Sequence, residues 1–214
     1  MKKLVLLFSL ALPALSFSQK KNRVSLEAAY GLQGNYFVGS YTEVNRPGTQ
    51  AAFLNKNFIG SIGGITLKYR ATKTASWGLG YSRSRNTRTV DYFTSINGFG
   101  VYIRDFDITH LNHFFEIFYQ RKFSKKLPFL KYEIGLFYLR PQQQEVEVSF
   151  SGAGFEQRNF KNAKLEEGGA FVGIQFSKMI DTKFELGIKS RVYYLISTNS
   201  LETITLTPTL AYHF

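Results

Sequence analysis

Cysteine is absent from the 214 residues, and histidine occurs only three times. The first absence removes disulfide staples, thiolate metal ligands and a lipidated cysteine anchor. The second leaves His110, His113 and His213 as the whole supply of imidazole, and their spacing fits no metal site. No cofactor motif accompanies them, and none is expected. Beyond the first residues there is no apolar run of 18 residues, which excludes a membrane-spanning helix. Acidic side chains are scarce, 15 against 27 basic ones, for a formal charge of +12. What the chain has in excess is aromatic surface, with 21 Phe and 13 Tyr.

The opening residues are MKKLVLLFSLALPALSFSQ. Lys2 and Lys3 precede an apolar run from Leu4 to Leu12, followed by Pro13 and a small-residue stretch with Ser16 and Ser18 just before Gln19. This predicts a secretory signal peptide at residues 1–18 and one exported domain at 19–214; the apolar run is too short for an ordinary span. Without Lys2 and Lys3 the tally is 25 basic against 15 acidic residues, or +10. In an exported protein that balance points to anionic partners such as phosphorylated lipid or glycan, and no nucleic acid is expected.

Period-two alternation then recurs in eight segments. Val24, Leu26, Ala28, Tyr30 and Leu32 alternate with Ser25, Glu27, Ala29, Gly31 and Gln33. Ile65, Leu67 and Tyr69 oppose Lys68 and Arg70; Trp77, Leu79 and Tyr81 oppose Gly78 and Gly80. Leu111, Phe115, Ile117 and Tyr119 oppose Phe114, Glu116, Phe118 and Gln120. The second half repeats the scheme, with Lys131, Glu133 and Phe137, then Phe171, Gly173 and Gln175, then Glu185, Lys189, Arg191 and Tyr193 on the polar side. The closing LTPTLAYHF sets Leu206, Leu210, Tyr212 and Phe214 against threonines and His213.

Connections sort by length. Gaps of about five, five and six residues (ATKTA, SKKLP, KMIDTK) alternate with gaps of roughly 20 to 30, the last one near TNSLE being short. Together these features predict an all-β fold, an eight-stranded antiparallel up-and-down transmembrane β-barrel of the outer membrane. In such a barrel the apolar side faces lipid and the charges face inward. Glu27, Glu116, Glu133 and Glu185 are expected to pair with Lys68, Arg70, Lys131, Lys189 and Arg191 in a plugged lumen, filled further by Phe114, Phe118, Phe137 and Tyr193. Tyr and Trp at strand ends fit an interfacial belt. Local disturbances are expected at Gly60, Gly63 and Gly64 (a bulge), at Pro208, and at His113, which takes a lipid-facing parity.

The hairpin GGITLKYRATKTASWGLGYS, the stretch HFFEIFYQRKFSKKLPFLKYEIGLFY and the terminal LAYHF together resemble the small outer-membrane barrels of Bacteroidetes, the PorT-like group. More distantly they resemble OmpA/OmpX-type barrels. Phe118 stands where the family usually has Pro. The resemblance implies outer-membrane location and fold rather than a reaction. It also implies that Leu210, Tyr212 and Phe214 form the C-terminal signal read by the barrel-assembly machinery.

Three roles follow from the residues. The favoured one is a structural or interaction barrel, not an enzyme, whose Arg83, Arg85, Arg88 and Arg104 contact lipopolysaccharide phosphates. Its third outer loop, alternating at Val146, Val148 and Phe150, would project strands towards a protein partner. A lipid A-modifying enzyme would need His110 or His113 beside Ser82, Ser84, Asp105 or Asp107. A narrow conduit is the third.

Overall fold

The computed structural model describes residues 23–36, 59–96, 99–124, 126–149, 154–162 and 167–214. The expected signal peptide, and Phe150 of the third loop, lie outside them. Nine strands occur among the described residues: β1 (Val24–Asn35), β2 (Ile59–Arg70), β3 (Ala75–Ile96), β4 (Phe99–Lys122), β5 (Leu130–Ser149), β6 (Gly154–Asn162), β7 (Glu167–Met179), β8 (Phe184–Leu195) and β9 (Ser200–His213). The sheet order is β4-β3-β2-β1-β9-β8-β7-β5, and β4 pairs with β5 to close the ring. β6 pairs with β5 as an extension above the wall. Eight strands therefore form a closed antiparallel barrel, as the eight alternating segments predict.

Ladder partners followed once around the wall give the slant of the strands. From Val24 the path runs through Tyr69, Trp77, Tyr119, Ile134, Val172, Val192 and Ile204 to Gly34. The circuit returns ten residues further along β1 than it began. With eight strands, a rise near 3.3 Å per residue and a spacing near 4.8 Å, this stagger corresponds to a tilt of about 40°. A bore of that size is just wide enough for side chains to fill.

The packing is inverted relative to a soluble barrel. Leu26, Ile134 and Ile188 are 43 %, 55 % and 54 % exposed on the outside, whereas Glu133 and Arg191 are each 2 % exposed inside. Water would leave that outer belt uncompensated; hydrocarbon covers it, and closure leaves no unpaired edge in the wall. Aromatics gather at both margins of the belt. Tyr69, Trp77, Tyr119, Phe184, Tyr212 and Phe214 stand at the short-turn end; Trp77 meets Tyr119 edge-on at 5.3 Å and Tyr212 meets Phe214 at 5.0 Å. Tyr30, Tyr81, Tyr138 and Tyr194 stand towards the other end.

Residues 71–74, 123–129 and 180–183 connect strands at one end. At the other, the expected second loop is itself strand: β3 and β4 run 22 and 24 residues and stay paired out to Ile96 and Phe99. The alternation of YSRSRNTRTV explains this, since Ser84 and Asn86 keep pointing in while Arg83 and Arg85 keep pointing out.

Several expectations need correcting. The glycine-rich start of β2 contains no bulge: the β1–β2 register runs unshifted through Gly60, Gly63 and Gly64, and the β2–β3 register through Gly63 and Gly64. The blurred parity arises because Ile62 points inward, where it joins the aromatic cluster. Leu111, read as outward-facing, is buried, flanked across the ladder by Arg85 and Gln142 at hairpin level rather than within the apolar belt. Pro208 does disturb β9. The β1–β9 ladder skips from Ala29↔Thr209 to Leu32↔Leu206, and a Cβ on the facing Gly31 would fall 2.3 Å from the Leu206 carbonyl oxygen. Glycine lets the two backbones approach where Pro208 lacks a donor.

Candidate functional site

The barrel interior is layered. At the short-turn end, Glu185 on β8 pairs with Lys131 on β5 and accepts a hydrogen bond from His213 Nε2 on β9 at 2.9 Å. Above it, the Glu27 carboxylate receives Lys68 Nζ and Lys189 Nζ, each at 2.7 Å. Gln175 donates to Glu27 at 2.9 Å and accepts from Lys68 at 3.2 Å and from Gln120 at 2.6 Å. Gln120 also donates to Glu133 at 2.7 Å. Arg191 then joins Glu133 (2.7 Å) to Glu116 (2.6 Å), and Glu116 accepts further bonds from Tyr193 at 2.7 Å and Ser82 at 3.2 Å. Carboxylates this deeply buried are tolerable because each of their oxygens has at least one donor.

Aromatic side chains occupy the next layer. Arg191 lies between the rings of Phe118 and Phe171, 4.8 and 4.7 Å from their centroids. Tyr193 sits 5.0 Å from Phe114, 5.3 Å from Phe137 and 5.2 Å from Phe171. Facing glycines give these rings room: a Cβ on Gly78 would fall 2.2 Å from the Phe118 ring, and one on Gly169 2.5 Å from the Phe137 ring. Cross-strand aromatic cover of a glycine also fixes register.

Above the rings lies a polar layer. A register shift between Tyr193 and Tyr194 leaves Glu202 as an extra residue on β9, so that Glu202 and Thr203 are both buried. One oxygen of Glu202 accepts from Asn35 and from Asn112, each at 3.0 Å. Gln33 and Asn86 bond beside them.

Of the nine predicted network residues, eight come together inside. Arg70 does not: it is the last residue of β2, exposed at the short-turn rim. Sequence reading missed Gln120, Gln175, His213 and Glu202. The first two lie on the inward parity but carry no charge; Glu202 is hidden because the bulge breaks the alternation that would have flagged it. Arg83 and Arg85 are exposed on the outer face of β3, while the side chains of Arg88 and Arg104 lie outside the described residues. His113 Nδ1 bonds with the Tyr81 hydroxyl at 2.8 Å and Nε2 with Gln142 at 3.2 Å, so its ring is held by a phenol and an amide rather than by a serine. Leu210 and Phe214 are exposed on the lipid side and Tyr212 is half-buried there. Among the described residues, no group of acids and imidazoles with metal-binding geometry occurs.

No family model matches the sequence, and no curated protein matches it. Solved structures are similar in shape. Ail of Yersinia pestis, in complex with the heparin analogue sucrose octasulfate, is 10 % identical with a TM-score of 0.48, over 91 % of this chain and 99 % of that one. Neisserial surface protein A is 13 % identical with a TM-score of 0.46, over 89 % and 96 %. The N-terminal β-barrel domain of Pseudomonas aeruginosa OprF is 12 % identical with a TM-score of 0.39, over 91 % and 100 %. The barrel assignment rests on this chain's own strand pairing.

Proposed function

We propose that the protein is an outer-membrane barrel with a structural or interaction role, exported by residues 1–18 and inserted with its short turns in the periplasm. The observation that carries this is the inverted packing, apolar belt outside and paired charges inside. The stacked rings of Phe114, Phe118, Phe137, Phe171 and Tyr193 support a plugged, non-conducting lumen. The PorT-like resemblance, and Leu210, Tyr212 and Phe214 as assembly signal, fit the same reading.

In it, the long-loop end does the work. Arg83 and Arg85 stand beyond Tyr81 on β3, with Arg88 and Arg104 further along the same hairpin, and in this reading they meet lipopolysaccharide phosphates. Guanidinium groups suit phosphate because they offer paired donors. The β5–β6 extension offers a strand edge to a protein partner. The enzyme reading draws no support from His113, whose two ring nitrogens are engaged by Tyr81 and Gln142. The test is binding of the refolded protein to lipopolysaccharide vesicles. R83Q/R85Q is expected to weaken binding and to flatten its salt dependence; unchanged binding refutes the contact. Steady ion currents across a planar bilayer would refute the plug.

A further inference from the structure

At the short-turn end, opposite the arginines discussed above, the interior opens into a recess of about 50 Å³. A single water needs only ~10–15 Å³, so the recess has room for a polyatomic ion. Arg23, Lys68, Arg70, Lys73, Lys122 and Lys131 line it, and Glu185 is the one carboxylate among its described lining residues.

That carboxylate is already taken. Glu185 pairs with Lys131 and bonds His213 at 2.9 Å, while Lys68 turns inward to Glu27 at 2.7 Å. Arg23, whose guanidinium also donates to the Tyr69 hydroxyl at 3.3 Å, Arg70, Lys73 and Lys122 remain, four cations at one mouth with no acid of their own among the described lining residues. Their backbones are fastened together. The Arg70 amide donates to the Arg23 carbonyl at 2.7 Å, and the Lys122 amide to the Thr74 carbonyl at 2.9 Å. The turn carrying Lys73 is held by the Thr72 hydroxyl, which accepts from the Thr74 and Ala75 amides at 3.3 and 3.0 Å. Like charges lining one recess repel one another, and an anion seated among them relieves the repulsion.

We propose that this recess binds a phosphate-bearing anion. Arginine supplies paired donors and lysine a point charge, the combination that suits a phosphate oxygen cluster. The group is either a phospholipid headgroup of the facing leaflet or a free phosphate. The inference goes beyond the lipopolysaccharide reading, uses different residues at the opposite end, and stands or falls separately from it.

The test uses the full chain folded in non-ionic detergent and titrated with inorganic phosphate at low ionic strength. Saturable binding is expected, weakened about ten-fold or more in R70Q/K73Q and unchanged in R83Q/R85Q. Arg70 and Lys73 are exposed, so heat-shifted gel mobility should certify both variants as folded. Native mass spectrometry from nanodiscs containing phosphatidylglycerol forms the second arm. Lipid retained by the parent and lost in R70Q/K73Q assigns the headgroup, whereas phosphate binding without lipid retention assigns the free ion. Neither phosphate binding nor lipid retention, or either one unaltered by R70Q/K73Q, overturns the proposal.

Discussion

Replacing Arg191 by Met tests the ionic interior most directly. Arg191 is 2 % exposed and holds Glu116 at 2.6 Å and Glu133 at 2.7 Å. Methionine keeps much of the stem between Phe118 and Phe171 but strands both carboxylates. Each retains something: Glu116 keeps Tyr193 and Ser82, and Glu133 keeps Gln120, with Lys68 at 3.9 Å. Breaking one buried pair by removing a partner typically costs 3–5 kcal/mol, and these remaining bonds keep the double loss near that range, about 4 kcal/mol. With a urea slope of about 2 kcal/mol per molar, the unfolding midpoint in liposomes should fall by roughly 2 M. The triple variant R191M/E116Q/E133Q should recover most of the loss, because amides keep the hydrogen bonds without the orphaned charge. A midpoint within about 0.3 M of the parent for R191M, or a triple variant no better than the single one, would refute the reasoning.

Other substitutions probe other layers. Leu79→Arg places a charge in the outer belt at a position 60 % exposed; near the bilayer midplane it should cost about 2–4 kcal/mol by liposome unfolding, against about 0.5 kcal/mol or less for an exposed site in water. Gly78→Val drives a side chain into the Phe118 ring and should cost about 1–3 kcal/mol; F118A in the same chain should recover part of it, giving a non-additive cycle by the same measurement. Glu202→Gln should be neutral or stabilising by up to about 1 kcal/mol, because the bonds from Asn35 and Asn112 both end on one oxygen that the amide retains. Glu27→Gln should destabilise instead, since Lys68 and Lys189 both depend on that carboxylate.

The wall of the barrel was legible because lipid and lumen impose opposite chemistry on alternate residues. Leu26, Glu27 and Ala28 alone announce which way β1 faces. Charged partners inside could be named by parity, but not who pairs with whom, since that depends on stagger around the ring. Arg70 was misassigned because parity carries no depth: two residues beyond Lys68, the last buried position, the same face meets the rim. Glu202 escaped because a single inserted residue reverses orientation without altering composition. The second outer hairpin was read as loop because SRSRNTRT is polar on both sides and the apolar residues beyond it, such as Val90, Phe93 and Val101, hold to no single parity.

The placement of Glu27 bears on how the molecule comes to be. Its two cationic partners arrive from β2 and β8, on either side of the junction where the first and last strands meet. Until that junction zips shut, the neighbouring lysine from the far end of the chain is missing, and the carboxylate must keep its water. An unfinished, curled sheet therefore has to hold its concave side wet while its convex side already sits in oil. Loss of that water and union of the two chain ends become one event, so the final hydrogen-bonded seam acts as the latch for the whole interior.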